Sequence, residues 1–204
     1  MSRTLAVLAL LISSLTMASV TVLIDFGQDD APGKDARGRI WNRVSGGADW
    51  LTRELRDSTG TRSGIQCRLR NAADVTHRIG LNGPNRTGVK VANGEAAERG
   101  YPAFATSDSL YGHPKPFGKR RVESAQLELD NLLPNQPYDL RFFASRTVGG
   151  KVDCREAAYA AAGQEVRLDA ANNSGAVVLR SQLKADAKGC LRVTIKPGGK
   201  NTNG

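Results

Sequence analysis

The stretch that most constrains the fold runs from residue 121 to residue 146, RVESAQLELDNLLPNQPYDLRFFASR. Apolar side chains recur at every second position in its first part and again in its last part. These positions are Ala125, Leu127 and Leu129, then Tyr138, Leu140, Phe142 and Ala144. A connection with two prolines and two asparagines, residues 131–137, separates the two runs. Alternation of period two around such a connection predicts two strands, each half-buried in an antiparallel sheet.

Six other short segments show the same alternation of apolar and polar residues. They are residues 20–27, 40–44, 64–70, 165–170, 176–183 and 190–196. Segments rich in turn-forming residues separate them, and the sequence has no regular alternation of strands with long helices. Many short strands at such intervals are typical of sandwiches. The sequence therefore predicts an all-β fold, a two-sheet antiparallel β-sandwich of jelly-roll type.

Four segments follow other patterns. Residues 48–57 place apolar residues at helical spacing, which predicts a short amphipathic helix. Residues 153–161 fit either a strand or a short helix, and residues 75–81 fit a weaker strand. Residues 101–118 concentrate three prolines, two tyrosines and two phenylalanines outside any alternation. This composition predicts a long loop, and loops of this kind are exposed and often carry binding residues.

The N-terminal residues predict export. A short basic start, Met1 to Arg3, precedes an apolar run from Leu5 to Leu15 and then small residues up to Ser19. This order is that of a secretory signal peptide, and the apolar run is shorter than the ~20 residues that span a bilayer. We expect a signal peptide over 1–19, one β-sandwich domain over 20–197 and a flexible polar tail over 198–204. The expected location is extracellular or periplasmic, without membrane insertion.

The charge of the chain bears on its partners. Its formal net charge is +9, but the longest basic run is only Lys119 to Arg121. A nucleic-acid surface carries denser positive charge, so we expect no nucleic-acid partner. A polysaccharide or cell-surface glycan fits an exported basic protein better, and we expect the protein to act as a monomer. A basic matrix or adhesion protein that binds anionic polymers is an alternative.

Three cysteines, Cys67, Cys154 and Cys190, are present. Their spacing matches no zinc-binding pattern, which excludes a site of that kind. Export permits a disulfide. Because Cys154 and Cys190 both lie in the strand-rich C-terminal half, the sequence favours a disulfide between them, with three buried thiols as the alternative.

Motifs of common enzyme classes are missing from the sequence. It has no G-x-S-x-G elbow, no H-E-x-x-H and no P-loop. An esterase or glycan hydrolase that uses His113, with Ser107 and a nearby aspartate, remains an alternative to a non-catalytic module. Asp29, Asp30 and Asp35 share one loop and supply the oxygen ligands that Ca²⁺ prefers, but their spacing matches no EF-hand. We therefore expect no cofactor. A structural calcium ion bound by this loop is the alternative.

Sugar binding fits the available residue types. Pyranose rings have apolar faces that pack on aromatic side chains, and their hydroxyl groups pair with carboxylates, amides and guanidinium groups. The candidate carbohydrate-binding residues are Trp41, Asn42, Tyr101, Asp108, Tyr111 and Arg146. Core packing is the alternative role for Trp41, and a structural ion pair is the alternative for Arg146.

Several segments together resemble a known domain. They are VLIDFG (22–27), WN (41–42), ATSDSLYG (105–112), LELDNLLPNQPYDLRFFASR (127–146), LDAANN (168–173) and LKADAKGCLRVTIKP (183–197). The set is similar to a galactose-binding-like jelly-roll domain of exported bacterial proteins, found alone or beside esterases, glycoside hydrolases and surface-sorting signals. The resemblance implies carbohydrate association and is compatible with a structural calcium ion.

Overall fold

Strands dominate the computed structural model of the chain, which describes residues 20–27, 33–45, 53–72, 80–82, 88–112, 121–148 and 153–202. The first seven strands are β1 (Ile24–Gly27), β2 (Gly33–Lys34), β3 (Ile40–Ser45), β4 (Arg53–Arg56), β5 (Arg62–Asn71), β6 (Gly80–Asn82) and β7 (Ser109–Tyr111). The next six are β8 (Ala125–Asp130), β9 (Pro137–Phe142), β10 (Glu156–Ala161), β11 (Gln164–Asp169), β12 (Val178–Lys184) and β13 (Leu191–Pro197). Two five-residue helices, α1 (Gly94–Glu98) and α2 (Ala103–Ser107), lie between β6 and β7. The predicted all-β class is confirmed.

A six-stranded sheet forms one layer of the fold. Its strand order is β11-β10-β13-β8-β5-β4, and every neighbouring pair is antiparallel. The alternation seen in the sequence puts Leu127 and Leu129 on the inner face beside Leu191 and Val193, all of them buried. Burial of these side chains is the main favourable contribution to folding of this layer, at about 1.5–3 kcal/mol for each large aliphatic side chain.

Three smaller sheets accompany the six-stranded sheet, and residues of β1, β9 and β12 pack against its core. β9 pairs with β12, β1 lies parallel to β3 in the order β1-β3-β2, and β6 pairs with β7. Ile24 and Phe26 of β1, with Tyr138 and Leu140 of β9, pack against the core of the six-stranded sheet. Phe142 stacks on Tyr159 with ring centroids 4.4 Å apart. The fold is therefore a sandwich-like arrangement of two layers.

The connection between β8 and β9 carries the chain from one layer to the other. Asn131 and Asn135 both have φ of 64°, a left-handed conformation that asparagine tolerates better than most residues. The Asn131 side-chain amide donates to the carbonyl oxygen of Gly64 at 3.1 Å, and the Leu133 amide donates to the Tyr138 hydroxyl at 2.8 Å. The two strands of the opening stretch therefore belong to different sheets.

The helix predicted for residues 48–57 is wrong in its described part. Residues 53–56 form the edge strand β4, paired with β5. Leu55 is 1% exposed whereas Glu54 and Arg56 point outward. A single buried residue, Leu55, between two exposed ones satisfies a strand as well as a helix, and pairing with the edge of β5 decides for the strand.

The observed elements correct two further predictions and decide one open alternative. The first strand begins at Ile24 rather than at Val20. The described part of the predicted 101–118 loop contains α2 and β7 instead of irregular chain. The ambiguous segment 153–161 forms the strand β10 over its last six residues. Residues 75–79 and 113–118 lie outside the described residues.

The predicted Cys154–Cys190 disulfide does not form, because all three cysteines are free thiols. Cys190 precedes β13, whereas the carbonyl oxygen of Cys154 accepts a bond of 3.0 Å from the Thr202 amide beyond the other end of β13. β13 has seven residues, or about 20 Å at ~3.3 Å each, and a disulfide needs Cα atoms within about 7 Å. Burial raises the pKa of Cys67 and Cys190 to about 12, so both are protonated at neutral pH.

The sequence predicted a signal peptide over residues 1–19 and a flexible tail over residues 198–204. The tail is tied to the fold over residues 198–202, since Gly198 donates to the carbonyl oxygen of Glu156 at 2.7 Å and Thr202 bonds Cys154. The proposed signal peptide lies outside the described residues. Within the described ranges, no helix is long and apolar enough to cross a bilayer.

Candidate binding surface

Trp41 is an interior residue of β3. It is 4% exposed, and its Nε1–H donates to Oδ2 of Asp35 at 3.0 Å. The Asp35 carboxylate also accepts from Nε of Arg39 at 2.8 Å and from the main-chain amides of Arg37 and Arg39 at 2.9 Å. Burial opposes ionisation of Asp35, but these donors hold its pKa below the ordinary value. Trp41 therefore stabilises a buried carboxylate and presents no face to a sugar.

Asn42 is also buried and joins three segments. Its side-chain amide donates to the carbonyl oxygens of Leu23 and Arg56 at 2.9 and 2.7 Å. Its side-chain oxygen accepts from the Arg56 amide at 2.8 Å. The Asn42 side chain therefore bonds main-chain groups just before β1 and at the end of β4, and its role is to hold these segments together. Trp41 and Asn42 are therefore removed from the candidate carbohydrate-binding residues.

Tyr101 lies half-buried above this interior. Its ring meets Trp41 and Phe143 edge-to-face, with centroids 5.5 and 5.8 Å apart. Phe104 also meets Trp41 edge-to-face, with ring centroids 6.2 Å apart. Burial raises the pKa of the Tyr101 hydroxyl. The ring is thus fixed in orientation by two aromatic neighbours, which favours a preorganised contact surface.

Arginine side chains lie around Tyr101. Arg37 donates from Nη2 to the carbonyl oxygen of Glu98 at 2.7 Å, and Arg39 donates from Nη2 to the carbonyl oxygens of Arg99 and Gly100 at 2.7 and 2.9 Å. These bonds dock the loop before β3 on the segment that leads into Tyr101.

On the same segment, Arg99 forms an ion pair with Glu95, and both side chains are partly exposed. The charges of Arg99, Arg141 and Arg39 favour the ionised Tyr101 hydroxyl, whereas that of Glu95 opposes it. The hydroxyl group therefore lies in a predominantly positive environment.

Arg141 reaches this region from β9. It is exposed and lies two residues before Phe143, which follows the end of β9 and whose ring contacts Tyr101. Leu179 of β12 is its directly paired neighbour and is 40% exposed. Arg141 has no ion-pair or hydrogen-bond partner among the described residues. We name this surface the Tyr101 patch, which comprises Arg37, Arg39, Glu95, Arg99, Tyr101, Arg141 and Leu179.

The remaining candidates lie elsewhere. Asp108 follows α2, and its carboxylate occupies the space that a side chain at Gly27 would fill. Burial and the charge of Arg155 lower the pKa of the Arg146 guanidinium group, and Tyr111 at the end of β7 opposes this shift. Nη1 of Arg146 is buried and has no hydrogen-bond partner among the described residues. Tyr111 and Arg146 therefore form a second polar pair, whose members are not among the residues that define the Tyr101 patch.

The described residues provide no set of ligands for the calcium ion considered in the sequence analysis. Asp35 directs its carboxylate at four donors rather than at a cation, and no group of three His, Cys, Asp or Glu in the described ranges could hold a metal. Asp29 and Asp30 lie outside those ranges, as does His113 of the catalytic alternative.

Sequence reasoning found Tyr101 but missed the arginines and Glu95 around it. The detectable signal was the polar position of Arg141 in the alternation of β9, since the polar positions of a half-buried strand face the solvent. The contacts of Arg37 and Arg39 with residues 98–100 span about 60 positions along the chain, which no local pattern reveals. No protein-family profile, curated protein or solved structure matches this chain.

Proposed function

We propose that this chain is a carbohydrate-binding module of galactose-binding-like jelly-roll type, exported as a monomer, which binds a polysaccharide or cell-surface glycan on the Tyr101 patch. The observation that carries the proposal is the position of Arg141, exposed and without a protein partner in the described ranges, two residues before Phe143, whose ring contacts Tyr101. The two-layer strand arrangement and the resemblance of the sequence to that domain support the module type.

The chemistry of the patch suits a sugar. Leu179 and the exposed part of Tyr101 offer apolar surface to the C–H faces of a pyranose ring. Arg141 and Arg99 can donate hydrogen bonds to hydroxyl oxygens, and Glu95 can accept from hydroxyl groups. Binding of this kind needs no metal and no covalent step.

A glycan array with the full chain tests this proposal, using Tyr101→Phe as the diagnostic variant. The phenylalanine keeps the packing on Trp41 and Phe143 but removes the hydroxyl group. A neutral hydrogen bond contributes about 1 kcal/mol, so affinity for the bound glycan should fall about fivefold. Calorimetric titration with the best array hit measures the change.

Tyr111→Phe is the matched control, because it removes the same group from the other candidate position beside Arg146. We expect unchanged affinity for this variant. Weakened binding by Tyr111→Phe with normal binding by Tyr101→Phe would move the site to Tyr111 and Arg146. If the unaltered chain binds no glycan on an array of neutral and acidic sugars, the proposed function is wrong.

A further inference from the structure

The arginines of the Tyr101 patch differ in how their charges are compensated. Arg99 pairs with Glu95 at 2.5 Å, and Arg39 pairs with Asp35 at 2.8 Å. Arg37, by contrast, bonds only the neutral carbonyl oxygen of Glu98, and Arg141 bonds nothing, among the described residues. Two exposed guanidinium groups in one patch therefore lack a carboxylate partner in the part of the chain that the structure describes. Each remains available to an anion from outside.

These two cations come from rigidly placed parts of the chain. Arg37 lies in the short β2–β3 connection, which the Asp35 carboxylate closes through the amides of Arg37 and Arg39. Its side chain lies against the Cα of Gly100, where a Cβ would approach its Nε to 2.7 Å. Arg141 projects from β9, and the pairing of β9 with β12 places Arg141 opposite Leu179. Preorganised donors lose less entropy when an anion binds than mobile ones do.

We propose that the ligand of the Tyr101 patch is an acidic polysaccharide, whose carboxylate or sulfate groups are bound by Arg141 and Arg37. The inference rests on the proposed function and adds the chemical class of the ligand. A guanidinium group presents parallel N–H donors that match a carboxylate or sulfate, and such charge-assisted bonds are about twice as strong as neutral ones.

A nucleic acid fits the same surface less well. Proteins that bind single strands interleave basic side chains with several aromatic faces on which successive bases stack. In the Tyr101 patch, Tyr101 is the one aromatic member, and two edge-to-face neighbours already contact its ring. Leu179, the exposed apolar member of the patch, has no flat aromatic face on which a base could stack, but it can pack against the C–H groups of a sugar.

The test uses matched acidic and neutral polysaccharides. Three acidic polysaccharides are each titrated against the full chain beside a neutral counterpart. The pairs are polygalacturonate with its methyl ester, alginate with its carboxyl-reduced form, and chondroitin sulfate with its desulfated, carboxyl-reduced form. We expect at least one acidic member to bind tenfold or more tightly than its neutral counterpart. That affinity should fall as salt rises from 50 to 500 mM, because exposed charges are screened beyond about 8 Å at physiological ionic strength.

Two variants locate the effect. Arg141→Gln should weaken binding of the acidic member about tenfold and leave binding of its neutral counterpart within twofold, and Arg37→Gln should act in the same direction. Lys188→Gln is the control of equal charge change, because Lys188 is exposed in the turn before β13, beyond the other end of the β9–β12 pair. Thermal unfolding of each variant confirms that it folds.

The possible results separate the inference from the proposed function. The inference of an acidic ligand is wrong if both members of every pair bind with equal affinity. It is also wrong if Arg141→Gln weakens binding no more than Lys188→Gln does. Both results leave the proposed glycan binding intact. Tighter binding of a single-stranded oligonucleotide than of all acidic polysaccharides also overturns the inference of an acidic ligand. Absence of binding to every polysaccharide and to the glycan array overturns both.

Discussion

At the residue scale, the interior beneath the patch depends on one buried carboxylate and its donors. Asp35 is 8% exposed and receives bonds from Trp41, Arg37 and Arg39. A buried charge is tolerated only where donors compensate the lost hydration. The position of Trp41 under Tyr101 therefore follows from its Nε1–H as much as from the size of its ring.

Trp41→Phe should lower the free energy of unfolding by about 2 kcal/mol, since the Asp35 carboxylate loses a donor while an aromatic ring remains. Urea denaturation of the variant measures the change. In the Asp35→Asn background the same substitution should cost at least 1 kcal/mol less, because the charge is gone. Identical costs in both backgrounds would show that the loss comes from ring size alone.

Acid should remove the contribution of Asp35. Its pKa in the folded protein lies below the ordinary value of 3.8. A carboxyl group of this kind adds stability that is complete above the unfolded pKa and is lost as pH falls through the folded pKa. Unfolding free energies at pH 6 and below pH 3.8 should therefore differ less for Asp35→Asn than for the unaltered protein. The same difference for both proteins would exclude Asp35 as a source of acid sensitivity.

At the element scale, the β10–β11 hairpin carries a residue poorly suited to its turn. Ala161 pairs with Gln164, which leaves Ala162 and Gly163 as a two-residue turn with φ of 48° and 76°. Positive φ at both positions is the geometry of a type I′ turn, which favours Asn-Gly. An alanine in the left-handed region costs about 1–2 kcal/mol.

Ala162→Asn should stabilise the protein by about 1 kcal/mol, because asparagine tolerates the left-handed region and Gly163 already follows it. Thermal and urea unfolding measure the gain. Ala187→Asn is the control, since Ala187 is also exposed in a turn but its φ is not positive. An equal gain from both substitutions would attribute the effect to surface polarity rather than to turn geometry.

Sequence patterns predicted elements well where one face was uniformly apolar. β8 and β13 were predicted because Leu127, Leu129, Leu191 and Val193 alternate with polar residues over six or seven positions. β4 was missed because it has only four residues, too few for the alternation of exposed Glu54, buried Leu55 and exposed Arg56 to be recognised. The short helices α1 and α2 were missed because each has five residues, too few for a helical period to emerge from composition.

At the scale of the whole molecule, the stretch from residue 121 to residue 146 links the two layers. β8 lies inside the six-stranded sheet, while β9 pairs with β12 and positions Arg141 beside Tyr101. Alternation predicted both strands but gave no information on their partners, since pairing depends on contacts between distant segments. The candidate site could be predicted only at Tyr101 for the same reason: Arg37, Arg99 and Arg141 come together through the tertiary fold.

The central claim is that the Tyr101 patch is the binding surface, and hydrogen–deuterium exchange tests it most directly. Exchange of the full chain is compared with and without the tightest-binding polysaccharide of the panel. We expect slower exchange in residues 95–101 and 139–143, where ligand contacts would reduce local opening. Unchanged exchange in both segments, with protection in residues 108–111 and 145–148, would contradict the claim and place the ligand at Tyr111 and Arg146.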